Sequence, residues 1–167
     1  MDDVVFACKL LDMAYRNYET MAKQWYQTVS TNPKTKTIGA LPSEFLIHWA
    51  SSIYRHLKPI YLSNQAYDEV LSYLMQSSYI DDLITYEVPL PEAVYAVILL
   101  RREIWLYAQS QAVFFDNPID IHQQTESINR TLLLFDYFTY LLVLKYSTVF
   151  KMPSPKHDVS QPSHQKS

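Results

Sequence analysis

The sequence predicts an all-α bundle of five or six helices that ends in one long C-terminal helix. Three observations carry that prediction. The 167 residues include a single glycine, Gly39, where average usage of about 7% would give roughly 12. Glycine supplies the positive-φ positions of hairpins, bulges and phosphate loops, so its scarcity disfavours sheet-rich folds and Rossmann or P-loop nucleotide sites. Hydrophobic residues make up 49% and aromatic residues 14% of the chain, which is material for one substantial core. Those residues also recur at steps of three and four, the period of a helical face. The length fits one domain, with or without a tail.

In chain order, Leu11, Ala14, Tyr18, Met21, Trp25 and Val29 mark one helix over residues 4–29. Residues 30–40 hold Asn32, Pro33, alternating Lys and Thr, and Gly39, and read as an exposed loop. Pro42 suits the first turn of helix two, whose stripe is Phe45, Trp49, Ile53, His56, Leu57 and Ile60. Ser63 and Asn64 offer caps for a third helix containing Tyr67, Val70, Leu71 and Leu74. A short fourth helix is expected over 79–87, with Asp81 and Asp82 at its positive end.

Pro89 and Pro91 launch a fifth helix, expected to reach about residue 115, with the stripe Val94, Val97, Ile98, Arg101, Ile104, Trp105 and Ala108. Asp116, Asn117 and Pro118 then break the chain and start the sixth helix, which runs to about residue 150. The helical domain is therefore expected over 1–152. Residues 153–167 hold three prolines, four serines and no aromatic residue, and read as a disordered polar tail.

The sixth helix carries two apolar lines. Ile121, Thr125, Ile128, Leu132, Phe135, Thr139, Leu142, Tyr146 and Val149 form a heptad-like seam. Leu134, Phe138, Leu141 and Lys145 form the second. Between Thr131 and Leu144, eleven of fourteen residues are apolar or aromatic, too many for one buried face. The helix is thus wrapped by its own chain, shared with a dimer partner, or a membrane span. A span needs about 20 apolar residues, and Asp136 and Lys145 would each cost about 2.5–3.5 kcal/mol near its centre, which disfavours the membrane. In the dimer reading, Leu134, Phe138 and Leu141 form the interface, with help from Val4, Val5 and Phe6.

Charge and chemistry narrow the function. Fourteen basic residues stand against 17 acidic ones, with net charge −3 and pI near 5.9, so nucleic-acid binding is not expected. The start Met1-Asp2-Asp3 lacks a basic region, so a cytoplasmic location is expected rather than secretion. One cysteine, Cys8, cannot build a disulfide framework or a multi-cysteine metal site. No Ser/His/Asp set, carboxylate pair or metal-ligand spacing is recognisable. A non-enzymatic protein without cofactor or metal follows as the expectation.

One polar residue falls on the apolar stripe of helix two and one on that of helix five. His56 lies on that of helix two, while His48 lies off it and His122, His157 and His164 lie in exposed positions. His56 is a core or pocket-edge histidine, or a ligand to haem. Arg101 lies between Ile98 and Trp105, and a buried guanidinium must be paired or hydrogen-bonded. It bridges to Asp136, binds an anionic ligand in a cavity, or snorkels to solvent.

Pieces of the chain also resemble a known family. They are the tryptophan-bearing helix and Leu-Pro start within Met21 to Leu57, Pro89-Leu90-Pro91-Glu92 leading into Ile98-Leu99-Leu100-Arg101-Arg102-Glu103-Ile104-Trp105, and Ile128-Asn129-Arg130. Over residues 20–150 the chain resembles the N-terminal sensory domain of the RsbR and RsbRD stressosome proteins. The resemblance implies a globin-like helical fold without haem, and a cytosolic, dimeric signal-input module whose last helix feeds a downstream signalling protein. The chain departs from the family in two places. No STAS domain follows, and the acid expected one turn after Asn129-Arg130 comes later, as Asp136. Two functions are expected from these readings: a regulatory module acting through dimerisation and protein contacts, or a sensor holding an apolar or tetrapyrrole ligand in its core.

Overall fold

A computed structural model describes the backbone of residues 3–111 and 120–150, with side chains described for 10–111, 125, 126 and 128–150. Among these residues the chain forms eight helices and no strand. They are α1 (Asp3–Arg16), α2 (Tyr18–Thr31), α3 (Lys36–Gly39), α4 (Ser43–Leu62), α5 (Ala66–Gln76), α6 (Tyr79–Thr85), α7 (Leu90–Ser110) and α8 (Asp120–Phe150). The fold is all-α, as the composition predicts.

The core sits between α2, α4, α7 and α8, with α1 packed across α4 and α8. Aromatic polar tips lock these helices in register. Trp25 Nε1 donates to the Ala96 carbonyl (3.0 Å), tying α2 to α7. Tyr54 Oη donates to the Leu100 carbonyl (3.0 Å), tying α4 to α7. Tyr146 Oη donates to the Val88 carbonyl (3.1 Å), tying α8 to the entry of α7. Buried indole and phenol groups need such partners, and the two lone pairs of a carbonyl oxygen allow a side-chain bond beside a helix bond.

The predicted first helix is two helices. Asn17 stands between them at φ −119° and ψ 20°. Its backbone N and its Nδ2 both donate to the Met13 carbonyl, at 3.0 and 2.9 Å. A side-chain amide that takes a backbone carbonyl competes with helix continuation, so the apolar stripe crosses a break that periodicity does not register.

The expected exposed loop at 30–40 is instead partly buried. Thr35 and Ile38 are fully inside, and α3 forms between them and Ala40. Thr35 Oγ1 donates to the Val29 carbonyl (2.7 Å). Glu92 reaches from α7 and accepts hydrogen bonds from Thr37 N (2.8 Å), Ile38 N (3.2 Å) and Thr37 Oγ1 (3.0 Å). A carboxylate is well placed here, because the first amides of a helix lack intrahelical partners. Gly39 serves close approach rather than a turn. A Cβ there would lie 2.8 Å from the Val29 carbonyl oxygen and 3.0 Å from Ser30 Cα.

Pro42 stands one residue ahead of its predicted place in the first turn, as the N-cap of α4, and Asp81 and Asp82 open α6 as predicted. The exit of α6 uses a left-handed residue, Glu87 at φ 54°. Glu87 N donates to the Ile84 carbonyl and Val88 N to the Leu83 carbonyl, the bond pair of a Schellman cap, with Leu83 and Val88 both buried. The expected side-chain caps of α5 do not form: the helix starts at Ala66 after Gln65. Instead, Gln65 N donates to Ser63 Oγ (3.1 Å). Helix five, predicted to reach 115, ends earlier: α7 stops at Ser110, and Gln111 is its C-cap at φ −94° and ψ 5°. The break at 116–118 and the tail at 153–167 lie outside the described residues. So do His157, His164 and the side chains of Val4, Val5, Phe6, Cys8 and His122.

Candidate functional site

The residues singled out in the sequence do not converge. His56 is exposed on α4 rather than facing the core. Its Nδ1 lies 2.7 Å from the Ser52 carbonyl oxygen, and its ring leans on Tyr73 with centroids 4.7 Å apart. Leu57 and Tyr54 take the inward positions beside it. The haem-ligand reading therefore has no inward imidazole at this position.

Arg101 and Asp136 do meet, but not as a buried pair. Arg101 Nη1 lies 3.8 Å from Asp136 Oδ1, with side chains 33% and 65% exposed. An ion pair this open to solvent contributes about 0–1 kcal/mol. The buried face of α7 runs instead through Ala93, Ala96, Val97, Leu100, Glu103, Ile104 and Ala108. The predicted stripe is rotated from this face, and the rotation carries Arg101 to the edge.

Leu134, Phe138 and Leu141 are likewise corrected. They are 3–5% exposed within the single chain, so they belong to its own core rather than to an outer face, and of the three only Leu141 reaches the wall of a groove. Phe138 sets its ring edge to Tyr79, with centroids 5.6 Å apart. Tyr79 is itself buried, its hydroxyl has no hydrogen-bond partner among the described residues, and burial pushes its pKa well above the usual tyrosine range. The outer face of α8 belongs to Leu133, Tyr140 and Leu144, all exposed.

Two grooves open on the bundle. The first, about 340 Å³, lies between α5, α6 and α8 and is lined by Leu71, Leu74, Met75, Ile80, Leu141 and Leu144, with Asp81 and Lys145 at its edge. Its two charges face one another at 3.4 Å. The second, about 630 Å³, lies between α2 and α7 and mixes polar with apolar groups. Gln24, Gln27, Thr28 and Thr31 form one wall, and Glu103, Leu106, Tyr107 and Ser110 form the other.

Glu103 is the group that the sequence does not reveal. It is 7% exposed, yet no hydrogen bond or ion pair reaches its carboxylate from the described residues. Burial raises its pKa, opposed in part by the neighbouring Arg102 charge. Its own charge, together with burial, pushes the Tyr54 hydroxyl up as well. A signal did exist in the spacing: Glu103 follows Ala96 and Leu100 at steps of four and three, in phase with Ile104. Among the described residues, no group of three or more His, Cys, Asp or Glu side chains stands close enough to hold a metal ion. No protein family, curated protein or solved structure matches this chain.

Proposed function

We propose that the chain is a non-enzymatic, cytoplasmic regulatory module that dimerises through the outer face of α8 and passes its signal by protein contacts. The observation that carries this reading is the two-sided character of α8. Phe135, Phe138 and Leu142 face the core, and Leu133, Tyr137, Tyr140 and Leu144 follow at steps of four, three and four along the opposite side. Tyr140 and Leu144 are 57% and 47% exposed, and Met75, 78% exposed, extends the apolar surface onto α5. Monomers rarely leave large contiguous apolar patches uncovered, and the same face of a second copy is the commonest cover. The resemblance to RsbR-type sensory domains supports the same reading, including a globin-like arrangement of the helices and a downstream signalling partner for the last one.

Lipid is the competing cover. Ile128–Phe150 is long and apolar enough to cross a membrane, with mean hydropathy 1.3 over its best window. That stretch also carries Arg130, Asp136 and Lys145, and its inner face is occupied by protein. A dimer melts at a temperature that rises with protein concentration. The wild type is expected to show that dependence, and Leu144→Glu or Tyr140→Glu is expected to remove it while keeping the helical circular dichroism. A concentration-independent melting temperature, or recovery of the chain with membranes, overturns the reading.

A further inference from the structure

The α2/α7 groove sets one acid among amide and hydroxyl groups: Gln24, Gln27 and Tyr107 bring donors, and the hydroxyls of Thr28, Thr31 and Ser110 have acceptor sites to spare. Thr28 Oγ1 donates its proton to the Gln24 carbonyl (3.2 Å), Thr31 Oγ1 to the Gln27 carbonyl (2.8 Å), and Ser110 Oγ to the Tyr107 carbonyl (2.7 Å). A hydroxyl has one proton and two acceptor sites, so each of these three turns lone pairs toward solvent. Gln111 Nε2 approaches Ser110 Oγ at 3.5 Å, which leaves the second acceptor site of that oxygen. Glu103 adds a carboxylate that is 7% exposed, without a hydrogen bond or ion pair among the described residues, and no described lysine or arginine lines the groove. The Arg102 charge offsets part of the cost of burying it, and a cation seated in the groove offsets more.

We propose that this groove binds an alkylammonium group, with the charged head on Glu103 and the alkyl stem along Leu106 and Tyr107. An ammonium carries three donors and no acceptor, the complement of a carboxylate in a groove whose hydroxyls keep free lone pairs. Its rotating donors suit acceptors scattered over two helices, whereas a guanidinium needs a planar fork. A divalent metal would need several oxygen ligands with more than one carboxylate among them, and the groove offers a single acid. The groove volume of about 630 Å³ falls within the range of small-molecule sites, about 300–1,000 Å³. The same chemistry arrives on a free amine or on a lysine side chain of a protein partner. The site lies apart from the outer face of α8, so its test is independent of self-association.

Titration calorimetry on the full chain at pH 7, with 1,5-diaminopentane and Nα-acetyl-lysine methylamide as probes and 1-pentanol as neutral control, decides the matter. At least one ammonium probe is expected to bind saturably, and the alcohol not at all. Glu103→Gln is expected to weaken binding about tenfold or more, since the charge-assisted bond is lost. Thr28→Val, at an exposed position, is expected to weaken it by about threefold through loss of one acceptor. Tighter binding of the diamine assigns a free amine as the ligand. Tighter binding of the lysine derivative assigns a protein side chain. Binding of neither ammonium probe, or equal binding by wild type and both variants, overturns the proposal.

Discussion

The two grooves flank the same bundle and carry opposite chemistry. Between α5, α6 and α8 the lining is mostly leucine, isoleucine and methionine, with Thr148, and its charges among the described residues are at the rim, where Asp81 and Lys145 are both solvent-exposed and paired. Between α2 and α7 amides and hydroxyls share the lining with Leu106 and Tyr107, and the charge is on Glu103, buried and without an ion pair among the described residues. A rim pair screened by water contributes little and discriminates little. A buried acid without a partner favours one sign of ligand. The apolar groove therefore offers contact area, and the polar groove offers selectivity.

The largest effect is expected beneath the apolar groove. Phe138→Ala should destabilise the chain by about 3–5 kcal/mol, the usual cost of emptying an aromatic core position. Urea denaturation at several protein concentrations should show the same loss at each. A loss that grows with concentration would return Phe138 to an interface between copies.

On the polar side, Glu92→Ala removes the acceptor for three hydrogen bonds that tie α3 to α7. A cost of about 1.5–3 kcal/mol is expected by denaturation, with the mass of the particle unchanged. Arg101→Ala and Asp136→Ala should each cost no more than about 1 kcal/mol. A loss of several kcal/mol in either, with strong coupling in the double variant, would show that the pair is buried in solution.

Glu103→Gln should change a slope rather than a midpoint. The unfolded chain gives up the Glu103 proton near pH 4.3, while burial makes the folded chain hold it to higher pH. Between those two values the folded state binds more protons, so stability falls as pH rises through the window. Glu103→Gln abolishes that fall. The variant should match the wild type below about pH 4.3 and exceed it at neutral pH. Parallel stability curves at all pH values would place Glu103 in solvent.

Helix existence was legible from the sequence; helix phase was not. Pro42, Pro89, Pro91, Asp81 and Asp82 marked the starts of α4, α6 and α7 because proline and acids act through local backbone chemistry. The break at Asn17 and the burial of α3 were hidden, since both depend on partners: the Met13 carbonyl for one and Glu92, distant in sequence, for the other. On α7 and α8 the apolar residues are too many to define one face. Leu132, Leu133 and Leu134 are consecutive, and periodicity alone does not say which of them is inside. The choice of Leu134 as outer and of Arg101 as inner both failed for this reason. Glu103 was missed because a charged residue in a helix is assigned outward by default, and only tertiary packing puts this one inside. Gly39 reads in the sequence as part of an exposed loop, whereas its requirement is the approach of α3 to Val29 and Ser30.

The role of the outer face of α8 is tested most directly by sedimentation equilibrium of the full chain at micromolar concentration, beside Leu144→Glu. The wild type is expected at twice the 19.6 kDa of the single chain, and the variant at the mass of one folded chain. A wild type that stays at 19.6 kDa throughout, or a dimer that Leu144→Glu leaves intact, contradicts self-association through this face.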